Sequence, residues 1–191
     1  MFRKINLRKA SCLFATLVFL AACTTSTIKA QSVCLQQGQS KTFNYTSTFG
    51  AAGSAKATFT LLGDMLTVVY QNTSTSNTYL SGIGFNTVAH ILPEDIQSAT
   101  ASRGWLAGAG PGGGLGSYDL IAYGNGNKRI APNTPVGTAD FTLIYEPVQL
   151  CIAENIVHLT SLPNGNSEKP VGVPVPTVPG PGGDPGNGET E

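Results

Sequence analysis

Two histidines, four cysteines and eleven acidic residues are the side chains of this 191-residue chain that could move a proton, attack an electrophile or hold a metal. His90 and His158 each lack a second His, Cys or carboxylate at metal-ligand spacing, the nearest acids being Glu94 with Asp95, and Glu154. A zinc-type site gathers three or four such ligands at short, regular intervals, so no metal or other cofactor is expected. Each imidazole reads instead as a strand or strand-end residue with one satisfied hydrogen bond. Glu94, Asp95, Asp119, Asp140, Glu146 and Glu154 could supply a carboxylate pair for glycosidic chemistry, but nothing in their spacing brings two together. No Gly-x-Ser-x-Gly elbow is present to present a nucleophile, and an enzymatic role is not expected.

Two features could serve binding. The glycine run at 108–116 has the density of a phosphate cradle, but it lacks a following Lys-Ser/Thr and a helix pattern to supply an N-terminus. It therefore reads as a mobile or tightly turning surface loop. Trp105, the only tryptophan, precedes that run. Its first reading is a core residue, because of the area it removes from water. The alternative is a stacking platform for a sugar, with Tyr118 and Tyr123 completing a recognition face for envelope or extracellular polysaccharide.

The cysteines carry information through their positions. Arg3, Lys4, Arg8 and Lys9 form a positive leader, and residues 13–22 form an uncharged apolar stretch ending in small residues, the layout of a signal peptide over 1–22. A membrane-spanning helix needs roughly 20 apolar residues, and this run is much shorter. The stretch ends Leu20-Ala21-Ala22-Cys23, which resembles the lipobox of bacterial lipoproteins. The resemblance implies that Cys23 is acylated and becomes the mature N-terminus. Two or three acyl chains would exceed what stable anchoring requires, so the membrane is the expected partner. Thr24 and Thr25 favour an outer-membrane or cell-surface destination. The alternative is cleavage after Ala30, giving a soluble periplasmic or secreted protein.

On the lipoprotein reading, Cys12 leaves with the signal and Cys23 carries lipid, so Cys34 and Cys151 remain. Two remaining cysteines in an exported protein are expected to form a disulfide, worth roughly 4–5 kcal/mol for a loop near 100 residues in the chain-entropy model. The alternative is a pair of buried thiols.

These side chains need a scaffold, and the composition points to strands. Only 12% of residues are charged, while there are 23 glycines and 12 prolines, which suits short strands and tight turns. Removing 1–22 leaves 7 basic against 11 acidic residues, a net charge of −4, so no nucleic-acid surface is expected. Residues 23–32 read as a tether. From Val33 the pattern alternates with period two: Phe43 with Tyr45; Ala57, Phe59 and Leu61; Leu66, Val68 and Tyr70. Gly63-Asp64 between the last two runs makes 56–71 a hairpin. Further strands are predicted at 78–85, 118–123, 138–145 and 148–159, with a helical turn over 93–98. The expectation is an all-β chain with a single β-sandwich over 33–163, Greek-key or jelly-roll-like. Residues 164–191, rich in Pro and Gly, are expected to form a disordered tail.

Several stretches in order resemble secreted β-rich proteins of the PEP-CTERM, exosortase-sorted type. These are Ala57-Thr58-Phe59-Thr60, Leu66-Thr67-Val68, Gln71-Asn72-Thr73-Ser74 and Leu80-Ser81-Gly82-Ile83-Gly84-Phe85-Asn86. They continue with Trp105, the run from Gly112 to Leu120, Pro135-Val136-Gly137 before Phe141-Thr142-Leu143, and Val157-His158-Leu159 with the segment 162–167. The resemblance covers roughly 55–168 and implies an exported surface or matrix protein. It brings no catalytic or ligand residues, and the family's Pro-Glu-Pro signal, hydrophobic helix and basic terminus are absent from this sequence.

Overall fold

The computed structural model describes residues 32–176. The expected signal peptide over 1–22, Cys23, the expected tether up to residue 31 and the part of the expected tail beyond 176 lie outside the described residues. Within them the chain is all-β: two antiparallel sheets pack face to face as a β-sandwich. Numbered in chain order, the first sheet reads across as β1 (Val33–Gln36), β10 (Gln149–Thr160), β5 (Tyr79–Thr87), β8 (Leu120–Tyr123) and β7 (Leu106–Ala109). The second reads β11 (Val173–Pro174), β2 (Ser40–Ser47), β3 (Gly50–Leu62), β4 (Met65–Asn72), β9 (Gly137–Leu143) and β6 (Ile96–Ala101).

The β3–β4 hairpin is the plainest case of sequence dictating structure. Leu62 pairs with Met65, leaving Gly63-Asp64 as the turn, and Gly63 takes the positive φ of 62° that a tight hairpin demands. Ala57, Phe59 and Leu61 then face inward beside Leu66, Val68 and Tyr70, all buried. Across the layers, Phe43, Phe59, Phe85 and Phe141 form a chain of edge-to-face rings with centroids 5.4, 5.0 and 5.6 Å apart. That geometry sets each ring's positive edge against the next ring's negative face. Cys34 and Cys151 are register partners in the β1–β10 ladder and are joined by a disulfide spanning 117 residues.

Three expectations change. The turn over 93–98 is a single 3-10 turn at Pro93–Asp95, after which β6 begins at Ile96. β6, β7 and β11 are short edge strands without the inward alternation that marks a half-buried strand, so the pattern does not reveal them. The body also does not end at 163. Glu168 and Val171 bridge Leu159 and Ile156 of β10, and Val173–Pro174 then pairs with β2, so residues 166–175 cross from one sheet to the other. The physical reason lies in the edges. Val175 donates its N–H to Thr42, so the nitrogens of Pro174 and Pro176 point away from β2, where proline costs no ladder bond. Gly172 makes the crossing close, since a Cβ there would collide with Asn155 Oδ1 and the Tyr45 ring. Those two groups are themselves joined by a buried hydrogen bond from Tyr45 Oη to Asn155 Oδ1.

The strand directions give the sandwich two ends. The β1–β2 and β3–β4 turns, residues 88–95 and residues 144–148 gather at one end. Residues 48–49, 73–78, 102–105 and 124–136 gather at the other.

Candidate functional site

The structure separates the three aromatics that could have formed one recognition face. Trp105 is only 4% exposed and lies between the sheets, stacked on Tyr70 with ring centroids 4.6 Å apart and planes 20° from parallel. Its indole N–H donates to the Lys128 carbonyl at 2.6 Å, and Gly124 lies flat against the ring. Trp105 is therefore a core residue that fastens the 124–130 loop to the body, and the platform reading is corrected. Burial also pushes the hydroxyl of its partner Tyr70 far up from the ordinary phenol value.

Tyr118 and Tyr123 lie elsewhere, on the outer face of the first sheet. There they flank a small apolar cluster of Leu115, Ile121 and Ile156. The glycine run covers this cluster. It leaves β7, turns back across the sheet with Gly112 bridged to Gly116, and sets the buried Leu115 against the strands. Gly113 permits the fold-back twice over, with φ at 57° and no room for a Cβ beside the Tyr123 ring. On the strand below, Gly84 leaves the space that the Tyr118 ring occupies. The run is thus a tightly turning surface loop packed onto the sheet, and it cradles its own protein rather than an anion. Burial raises the Tyr118 hydroxyl above its usual value, helped by the negative charge of Glu154.

His158 projects from β10 beneath this loop. Its Nδ1 is buried without a hydrogen-bond partner, and Gly114 lies over the Cε1 edge of the ring. Desolvation lowers its pKa; the Gly113 backbone pulls it back up, and the positive charge of Lys169 lowers it further. Lys169 also donates to the Leu115 carbonyl at 3.3 Å, which ties the glycine loop to the crossing segment.

His90 meets a carboxylate that linear spacing does not reveal. Its Nδ1 stands 3.6 Å from Asp119 Oδ1, although its side chain is 77% exposed. The Asp119 carboxylate also accepts the Thr87 N–H and hydroxyl, and its N–H donates to Asn86 Oδ1. The Thr87 hydroxyl oxygen in turn accepts the Ile91 N–H, so Asp119 organises the 86–91 turn. Among the described residues no group of three His, Cys, Asp or Glu side chains comes together to hold a metal ion.

Two depressions are formed by described residues at the ends of the sandwich. One, of about 150 Å³, is lined by Gly104, Leu106, Tyr123, Gly124, Asn125 and Lys128. The other, of about 380 Å³, lies among Gln36, Gln37, Val148 and Gln149 at the opposite end. Of Trp105, Tyr118 and Tyr123, only Tyr123 lines either of these two depressions. Comparison with family models, curated proteins and solved structures finds no match to this chain.

Proposed function

We propose that this is a non-enzymatic cell-envelope lipoprotein, anchored by acyl chains on Cys23 in the outer membrane or at the cell surface, with a structural or matrix role. The observation that carries the reading is the Cys34–Cys151 bridge. The tether that would follow Cys23 enters the body through β1, a four-residue edge strand. Ladder hydrogen bonds alone would hold so short a strand weakly against a pull on the anchor. The bridge makes the attachment to the long β10 covalent, and it suits an oxidising compartment. The likeness to exosortase-sorted proteins supports the same class, an exported β-rich protein of surface or matrix. Mass spectrometry of the mature N-terminus tests the proposal. Diacylglyceryl on Cys23 together with an oxidised Cys34–Cys151 pair is the expected result, and an unmodified N-terminus after Ala30 would replace the anchored reading with a soluble one.

A polysaccharide-binding role is the second reading. It now rests on Tyr123, Asn125 and Lys128 around the smaller depression, without Trp105. Loss of glycan-array binding in Tyr123→Ala would support it, and no binding by the unaltered protein would end it.

A further inference from the structure

The two ends of the sandwich carry opposite charge. At the end formed by the β3–β4 turn and residues 144–148 stand Asp64, Glu94, Asp95 and Glu146, with Asp119 beside them. Among the described residues the one Lys or Arg near them is Lys41, set in from the end on β2 and partly buried. The same end is unusually apolar: Leu62 is 63% exposed, Ile144 62%, Tyr145 41% and Val148 87%. These side chains share one surface. Leu143 donates its N–H to the Asp64 carbonyl, Ile144 donates to the Asp95 carbonyl, and Gln37 bridges the Gly63 and Pro147 carbonyls.

At the opposite end stand Arg103, Lys128 and Arg129. Lys128 lies along Gly104, and the Arg129 guanidinium sits 4.8 Å over the Tyr79 ring. Two acids lie toward this end, each already engaged: Glu168 accepts the N–H and hydroxyl of Thr48, and Asp140 on β9 accepts the Thr67 hydroxyl. This end holds the depression of about 150 Å³, whose wall includes the 60%-exposed Leu106.

We infer that the acidic, apolar end of one copy docks on the basic end of another, so that the protein associates head to tail along its strand axis. Charge complementarity names the occupant. An anionic lipid surface or nucleic acid would be repelled by the acidic end, whereas the opposite end of this same chain offers the matching sign and an apolar depression. Because the two surfaces differ and lie at opposite ends, each copy leaves one of them free, and the contact extends rather than closing into a pair. The inference goes beyond the anchored-lipoprotein reading and does not depend on acylation.

Sedimentation of the mature chain from residue 24, exported so that the disulfide forms but carrying no lipid, tests it. The mean mass should rise with concentration at low salt and return to monomer in about 1 M salt, where charges are screened beyond about 3 Å. Glu94→Lys with Glu146→Lys should abolish association, as should Arg103→Glu with Lys128→Glu, each with an unchanged melting temperature. The two double variants mixed should associate again, since the ends are then complementary between partners. A wild-type protein that stays monomeric at low salt, reversals that leave association intact, or a mixture that stays monomeric would each overturn the proposal. The outcome is independent of whether Cys23 is acylated.

Discussion

At the scale of single residues, Trp105 and His158 show how one side chain takes its meaning from what covers it. Trp105 fills the space between the sheets against Tyr70, and its N–H is satisfied by a backbone carbonyl. Replacing it with Ala leaves a large cavity and frees the 124–130 loop, so the melting midpoint in denaturant should report a loss of about 3–5 kcal/mol. Burial, with the nearby positive charge of Lys169, lowers the pKa of His158 against the opposing pull of the Gly113 backbone. Its folded pKa lies below that of the unfolded chain, so as pH falls through about 6.5 the unfolded state takes up a proton that the folded state resists. Stability is therefore full above that pH and declines below it. Melting temperatures across this range should slope downward toward acid for the wild type and run flatter for His158→Gln; equal slopes would remove His158 from the account. The spacing of histidines and acids in the chain shows neither this burial nor the meeting of His90 with Asp119, because both depend on strands that pair across the sheet.

At the scale of elements, the long strands and the short ones behave differently. β3, β4, β9 and β10 alternate buried and accessible positions over many residues, so their inward faces are legible as hydrophobic periodicity. β7 and β11 occupy edges, where only one neighbour supplies hydrogen bonds and the side chains need not alternate. The crossing segment at 166–175 is the sharpest example. It looks like a linker by composition, yet it fills edge positions on both sheets and is pinned by Glu168 and Gly172. The hydrogen bonds from Thr48 hold the Glu168 carboxyl below its ordinary pKa. They stabilise the segment while that group is ionised and are lost as pH falls through its lowered pKa. Hydrogen exchange at Glu168 and Val175, whose N–H groups donate to the Leu159 and Thr42 carbonyls, should accordingly quicken in strong acid before the core opens. Gly172→Ala should quicken the same amides at neutral pH, and unchanged protection in that variant would show that the close approach to Asn155 is dispensable.

At the scale of the whole molecule, a single bridge links the first strand of the body to a strand near its end, 117 residues later. Replacing Cys34 and Cys151 together with Ala should lower stability by about 5 kcal/mol in the chain-entropy model, measured as a shift of the denaturation midpoint. A shift near zero would mean that β1 contributes little to the cooperative unit. Several properties follow from the chain alone. Composition and period-two patterning specify an all-β sandwich, because alternation places one face of each strand in the core whatever its neighbours are. Cysteine counting on the lipoprotein reading specifies which two thiols remain to pair. The tertiary structure decides everything that depends on which strands become neighbours. It buries Trp105, folds the glycine run over His158, draws the proline-rich segment onto the sandwich and sorts the charges to opposite ends. Those outcomes arise from contacts between residues tens of positions apart, whose pairing is selected by the packing of the whole sandwich and leaves no local trace in the chain.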